Sequence, residues 1–215
     1  MGVKVDLRIL ELMASRICHD LISPIGAVGN GLELLEDAGP DMSGDALKLS
    51  ANCVRKASAL LEFFRMAYGT AGSDTGLRWD AAKQLADGLL EGGKTVLVWP
   101  PLPAGFAAPP SAAKLALNLV LLGTEMLPRG GEIVVAIQPS GARVNLSATA
   151  SGRDARVPEE MAAALAAGAE GAAPSLSART VHAFFTSRLV EALGGRLEPS
   201  AQPSGVRVSA SIPAA

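Results

Sequence analysis

The sequence predicts an α+β protein in two parts, an N-terminal helical hairpin followed by an α/β sandwich, and three observations carry that prediction. Apolar residues recur at helical spacing through residues 6–37 and again through 45–68. From residue 77 onward, short β-branched runs alternate with Ala- and Leu-rich stretches. Of the 215 residues 49% are apolar but only 4% aromatic, so Ala and Leu must fill the core, and both lose little side-chain freedom in a helix.

In the first run, a heptad with a at Leu7, Ala14, Leu21, Val28 and Leu35 puts d at Leu10, Ile17, Pro24 and Gly31. Met13, Cys18, Ile25, Ala27, Leu32 and Leu34 widen that seam to the stripe of a bundle helix. Residues 37–44 hold Gly, Pro and Asp and read as a turn. The second helix, 45–68, carries Leu47, Leu49, Val54, Ala57, Leu60, Leu61, Phe64 and Met66. Tyr68–Gly76 is a small-residue breaker, which divides the chain into domains 1–72 and 73–215. Two helices joined by a short turn form an antiparallel hairpin that still exposes an apolar face. A second copy would cover it in a two-fold-symmetric four-helix bundle, so a homodimer is expected. Residues 77–215 folding back on the hairpin would be the alternative cover.

The second part reads as a strand near 77–80, a helix 81–92, a strand 95–99 and a helix 111–127. Strands 132–138 and 142–150 follow, joined by a hairpin turn at Pro139–Ala142. Helices 158–167 and 176–193 then precede a strand pair, 196–199 and 205–212. Helices beside antiparallel strands predict a layer of helices on one face of a sheet.

Composition excludes several function classes. A formal charge of −2 offers no clustered cation for nucleic acid. No apolar run reaches the roughly 18–20 residues of a bilayer span, and the opening residues lack a signal-peptide pattern, so a cytoplasmic protein is expected. Cys18 and Cys53 fit a reducing compartment, and two cysteines with two histidines give no metal-ligand spacing.

His19 sits at heptad position f, farthest from the seam, where its ring projects into solvent. A neutral imidazole there has one ring nitrogen free to attack phosphorus. Asp20 follows at g, placed to hold the other ring N–H and fix the tautomer. Pro24, five residues on, lacks an N–H for the Asp20 carbonyl and marks a shaped site. Arg16, one turn earlier, is either a solvated surface cation or placed to neutralise phosphoryl charge. Leu12, Ile22, Ser23 and Gly26 share the side of His19 as an apolar landing for a partner helix, with Gly26 permitting close approach. On the second helix, Phe63, Phe64 and Tyr68 are candidates to join this surface. His182 is the rival acceptor, read as structural or superficial.

Arg16-Ile-Cys-His19-Asp20-Leu21-Ile-Ser23-Pro24-Ile25 resembles the phosphoacceptor box of sensor histidine kinases, whose pattern is His-Glu/Asp-Leu-x-x-Pro-Leu. Leu117-Asn118 through Gly123, Gly130-Gly-Glu-Ile-Val-Val, Ser187–Glu198 and Gly205–Pro213 resemble the same kinases' Bergerat-like ATP-binding domain, so the likeness spans nearly the whole chain. The nucleotide residues are lost. Leu122 stands where the magnesium asparagine belongs, Ala150 where the adenine-binding Asp belongs, and Ser175–His182 has no glycine loop. Oxygen ligands for Mg²⁺ and glycine amides for phosphate are thereby missing. The pattern resembles the dimeric, kinase-derived histidine phosphotransferases of bacterial phosphorelays. That resemblance implies a donor receiver domain on a hybrid histidine kinase and receiver domains of response regulators as acceptors. It implies no cofactor of the chain's own, and Mg²⁺ supplied by the receiver.

Overall fold

A computed structural model of the chain describes residues 6–37, 43–70, 76–167 and 176–214. The middle of the predicted turn (38–42), most of the predicted linker (71–75) and residues 168–175 lie outside the described residues.

Helix α1 (Leu7–Asp37) runs unbroken through Pro24, and α2 (Ser43–Ala67) packs along it. Their crossing is close at Gly31, where an added Cβ would lie 2.2 Å from the Ser50 hydroxyl. Leu7, Leu10, Ile25, Leu32 and Leu34 of α1 and Leu47, Leu49, Val54 and Leu61 of α2 remain exposed in the single chain. The hairpin therefore buries one side and leaves an apolar stripe on the other, as the heptad requires.

Beyond the hairpin come α3 (Trp79–Leu90), β1 (Thr95–Val98), α4 (Pro110–Glu125), β2 (Gly131–Ser140), β3 (Arg143–Ser151), α5 (Glu159–Ala166), α6 (Val181–Ala192), β4 (Arg196–Gln202) and β5 (Gly205–Pro213). The strands form one sheet in the order β1-β2-β3-β5-β4, with β1 parallel to β2 and the other pairs antiparallel. Alternation sends Ile133, Val135, Leu146, Ala148, Val208 and Ile212 to the helical face. Asn145, Glu198 and Arg207 face outward. Helix α4 is buried from Ala112 to Gly123 on every side, which its continuous Ala-Leu-Val run allows. Its approach to the sheet is tight: a Cβ on Gly123 would meet Ile133 Cδ1 at 2.9 Å. Gly130 and Gly131 enter β2 at φ +79° and +146°, and a Cβ on either would lie 2.3 Å from a carbonyl oxygen.

The strand expected at 77–80 does not form. Trp79 opens α3 instead, because in a helix Trp79, Ala82 and Ala86 share one buried face. The Trp79 indole donates to the Pro100 carbonyl at 3.1 Å and its ring packs 4.6 Å from Trp99. The helix expected over 176–193 begins at Val181, after a turn at 178–180.

The end of α2 is built into the second part. Phe63, Phe64 and Ala67 belong to the same buried cluster as Trp79, Leu115 and Leu119. The last carbonyls of a helix need outside donors, and α4 supplies them. Lys114 Nζ donates to the Gly69 carbonyl at 2.8 Å, and Asn118 Nδ2 to the Ala67 carbonyl at 3.0 Å.

Candidate functional site

Two turns of α1 set the geometry around His19. The ring is 86% exposed, as position f predicts, and its Nδ1 lies 3.1 Å from Asp20 Oδ1. Asp20 Oδ2 lies 3.5 Å from Arg16 Nε, one turn back. Ile22, Ser23 and Gly26 line the same open side, with nothing within 4 Å of a Cβ added at Gly26. Pro24 is half-buried in the hairpin.

Three expectations need correction. Leu12 is 6% exposed and lines no open surface. The second part covers that stretch of α1: α6 touches the helix, and Arg16, one turn after Leu12, reaches across to it. Phe63, Phe64 and Tyr68 likewise face the second part rather than solvent, because capping α2 on α4 turns their rings inward. Tyr68 stacks on Phe64 at 5.2 Å and meets Phe185 edge-on at 5.3 Å. Finally, Arg16 is no free surface cation. Only 12% of its side chain is exposed, and its guanidinium is already engaged.

Those engagements are the feature sequence reading missed. Arg16 Nη2 donates to Glu125 Oε1 at 2.5 Å and Nη1 to the Arg179 carbonyl at 3.1 Å. Both partners come from the second part, 109 and 163 residues away in sequence. The available signal was Glu125 itself, a carboxylate ending a run of core residues. Burial pushes the Glu125 carboxyl up to about 7, against the pull of Arg16. Beneath lies Tyr68, whose phenol burial holds above its ordinary range. The Tyr68 hydroxyl is 3.1 Å from His182 Nδ1, and His182 Nε2 is 3.2 Å from the Asn118 carbonyl. His182 is wholly buried, and desolvation, with Arg16 nearby, pulls its pKa down to about 3. It is thus a neutral, buried histidine of the core, the structural rather than the superficial of the two roles expected for it.

A cleft of about 750 Å³ opens beside His19, walled by Arg16 and Asp20 on α1 and by Glu125, Glu160, Met161 and Arg179 opposite. Leu122 and Ala150 are both fully buried in the core. Asn118 spends its amide on Ala67 and Lys114 carbonyls. Among the described residues no group of three His, Cys, Asp or Glu is arranged to hold a metal, and no helix is long and apolar enough to cross a membrane.

The chain is a phosphotransferase by kinship, and it belongs to the histidine phosphotransferase family. That family's C-terminal domain matches residues 79–205. Among its relatives is the protein phosphotransferase ChpT of Brucella abortus (strain 2308), 37% identical over 98% of this chain and 100% of that one. A solved structure described as a bacterial phosphotransferase superposes with a TM-score of 0.78 at 34% identity, covering 97% of this chain and 98% of that one.

Proposed function

We propose that the chain is a cytoplasmic intermediate in a multistep His–Asp phosphorelay, with His19 as the phosphoacceptor. The observation that carries this reading is the exposed His19 ring with Asp20 on its Nδ1, in a chain of the histidine phosphotransferase family. Asp20 holding the Nδ1 proton leaves the Nε2 lone pair facing solvent. Nε2 attacks the phosphorus of a receiver's aspartyl phosphate in line. The N–P bond forms as the bond to the aspartate oxygen breaks, and the carboxylate leaves with the electron pair. The reverse step delivers the group to an aspartate of a second receiver. Little covalent machinery is needed, because positioning and charge neutralisation carry phosphoryl transfer. The donor is the receiver domain of a hybrid histidine kinase, the acceptors are receiver domains of response regulators, and the receiver brings the Mg²⁺.

Ile22, Ser23 and Gly26 form the landing for the receiver, since all three are exposed beside His19. The chain uses no ATP of its own, a reading supported by the burial of Leu122 and Ala150. It works as a homodimer, which the exposed Leu7, Leu10, Leu32, Leu47 and Leu61 of the hairpin favour.

The test incubates the chain and its His19→Ala variant with a phosphorylated receiver domain, and separately with labelled ATP. Acid-labile label on the unaltered chain from the receiver, and none on the variant, is expected. Label from ATP alone would make the chain a kinase. Relay activity surviving in His19→Ala would make it an adaptor whose histidine is incidental.

A further inference from the structure

We propose that Glu125 is a positioning residue for His19: by holding Arg16 from the second part of the chain, it keeps Asp20 available to the imidazole and so sets which ring nitrogen carries the proton. This role rests on the phosphoacceptor reading above and extends it across the seam between hairpin and sandwich.

Several acceptors compete for one guanidinium. Arg16 faces three: Glu125 Oε1 on Nη2, the Arg179 carbonyl on Nη1, and Asp20 Oδ2 at 3.5 Å from Nε. Both Nη atoms are thus pinned by the second part. The Nε–Asp20 approach is an ion pair without a hydrogen bond, and Nε has no hydrogen-bond partner at all. Asp20 is attracted by Arg16 but not captured by it, and its Oδ1 stays on His19 Nδ1 at 3.1 Å.

Arginine binds carboxylates best through two parallel N–H bonds. A guanidinium released from Glu125 would turn that fork on Asp20, four residues away on the same helical face. Asp20 would then give both oxygens to Arg16 and His19 would lose its partner. Among the described residues an 86% exposed ring has no other hydrogen-bond partner to fix its tautomer, so the balance between its two tautomers would revert to that of imidazole in water. Glu125 prevents this by outcompeting Asp20 for Arg16. Its position at the end of α4 is fixed by the core packing of that helix, so the sandwich supplies the stiffness that a solvent-facing histidine lacks.

The chain contains two histidines, so ¹⁵N-histidine labelling of the full-length protein gives two ring spin systems, with His19→Ala assigning one. In the unaltered chain, His19 should show a protonated Nδ1 and an unprotonated Nε2. Read above about pH 8, where the Glu125 carboxyl is ionised, Glu125→Gln keeps shape, removes that charge and should move His19 to the solution tautomer balance. His182 should keep its buried signature, reporting an intact fold. Receiver-to-His19 transfer should slow about tenfold or more in Glu125→Gln, the low end of what losing an outer hydrogen-bond partner costs at a metal-ligating histidine. Tautomer and rate unchanged in Glu125→Gln would overturn the proposal. Asp20→Asn changing the tautomer while Glu125→Gln does not would confine positioning to α1 and equally overturn it. The tautomer is read on unphosphorylated protein, so its answer stands apart from whether His19 takes label.

Discussion

Acidification should set two buried groups against each other, and the balance can be worked from the structure. His182 has a folded pKa of about 3 and an ordinary value of 6.5. Below 6.5 the unfolded chain takes a proton that the folded chain refuses, so stability present above that value is lost as pH falls toward the folded pKa. Glu125 runs the other way, with a folded value of about 7 against 4.5. Between those values the folded chain binds a proton that the unfolded chain does not, so stability rises as pH falls. A one-proton difference between folded and unfolded chains changes stability by about 1.4 kcal/mol for each step of one in pH. A drop from about pH 7.5 to about pH 4.5 therefore takes about 3 kcal/mol through His182 and returns about 3 kcal/mol through Glu125. The two contributions oppose each other over that window, and of the two only the His182 loss continues below it. The groups facing the pair are Arg16 and Asp20 on α1 and Tyr68 after α2, and they are common to every variant compared. Urea unfolding at fixed protein concentration, across this range, reads the slope rather than the offset. Relative to the unaltered chain, Glu125→Gln should lose about 3 kcal/mol more by about pH 4.5, and His182→Asn about 3 kcal/mol less. Three parallel curves would refute burial as the cause of both displaced pKa values.

Other substitutions probe the packing. Gly31→Ala places a Cβ 2.2 Å from Ser50 Oγ and should cost about 1–3 kcal/mol, as overpacking does. Ser50→Ala should be close to neutral, because that hydroxyl is buried without a partner, and the double variant should recover most of the loss in a double-mutant cycle. Asn118→Leu removes the donor to the Ala67 carbonyl and should cost about 1–3 kcal/mol by thermal unfolding. The proposed homodimer is tested by light scattering: the unaltered chain should be dimeric and Leu32→Glu, which charges the exposed stripe of α1, monomeric; a variant that stays dimeric would refute that stripe as the contact.

Elements repeating on a short period were legible in the sequence. The heptad placed His19 in solvent, and alternation found the β2–β3 hairpin with its turn. Leu77–Asp80 failed because four residues of alternating polarity fit a strand and a helix start equally, and only the packing of Trp79 on Trp99 decides. Leu12 and Arg16 failed for a different reason. Heptad reasoning treats a helix as having one neighbour, whereas α1 has two, and the second covers the turn before His19. No local pattern pairs Arg16 with Glu125 across 109 residues. The rings of Phe63, Phe64 and Tyr68 were found as candidates but on the wrong side, since the α2 terminus is oriented by donors on α4 that local spacing does not reveal.

The ties at the end of α2 bear on how the molecule moves. Swinging the sandwich away from the hairpin would break the Lys114–Gly69 and Asn118–Ala67 bonds, separate Tyr68 from His182 and strip Arg16 from Glu125. All of these ties would have to give way together, so the seam behaves as a weld rather than a hinge. A welded joint turns the chain into a fixed template. In the proposed relay, such a template would offer a visiting receiver one surface in both directions of transfer.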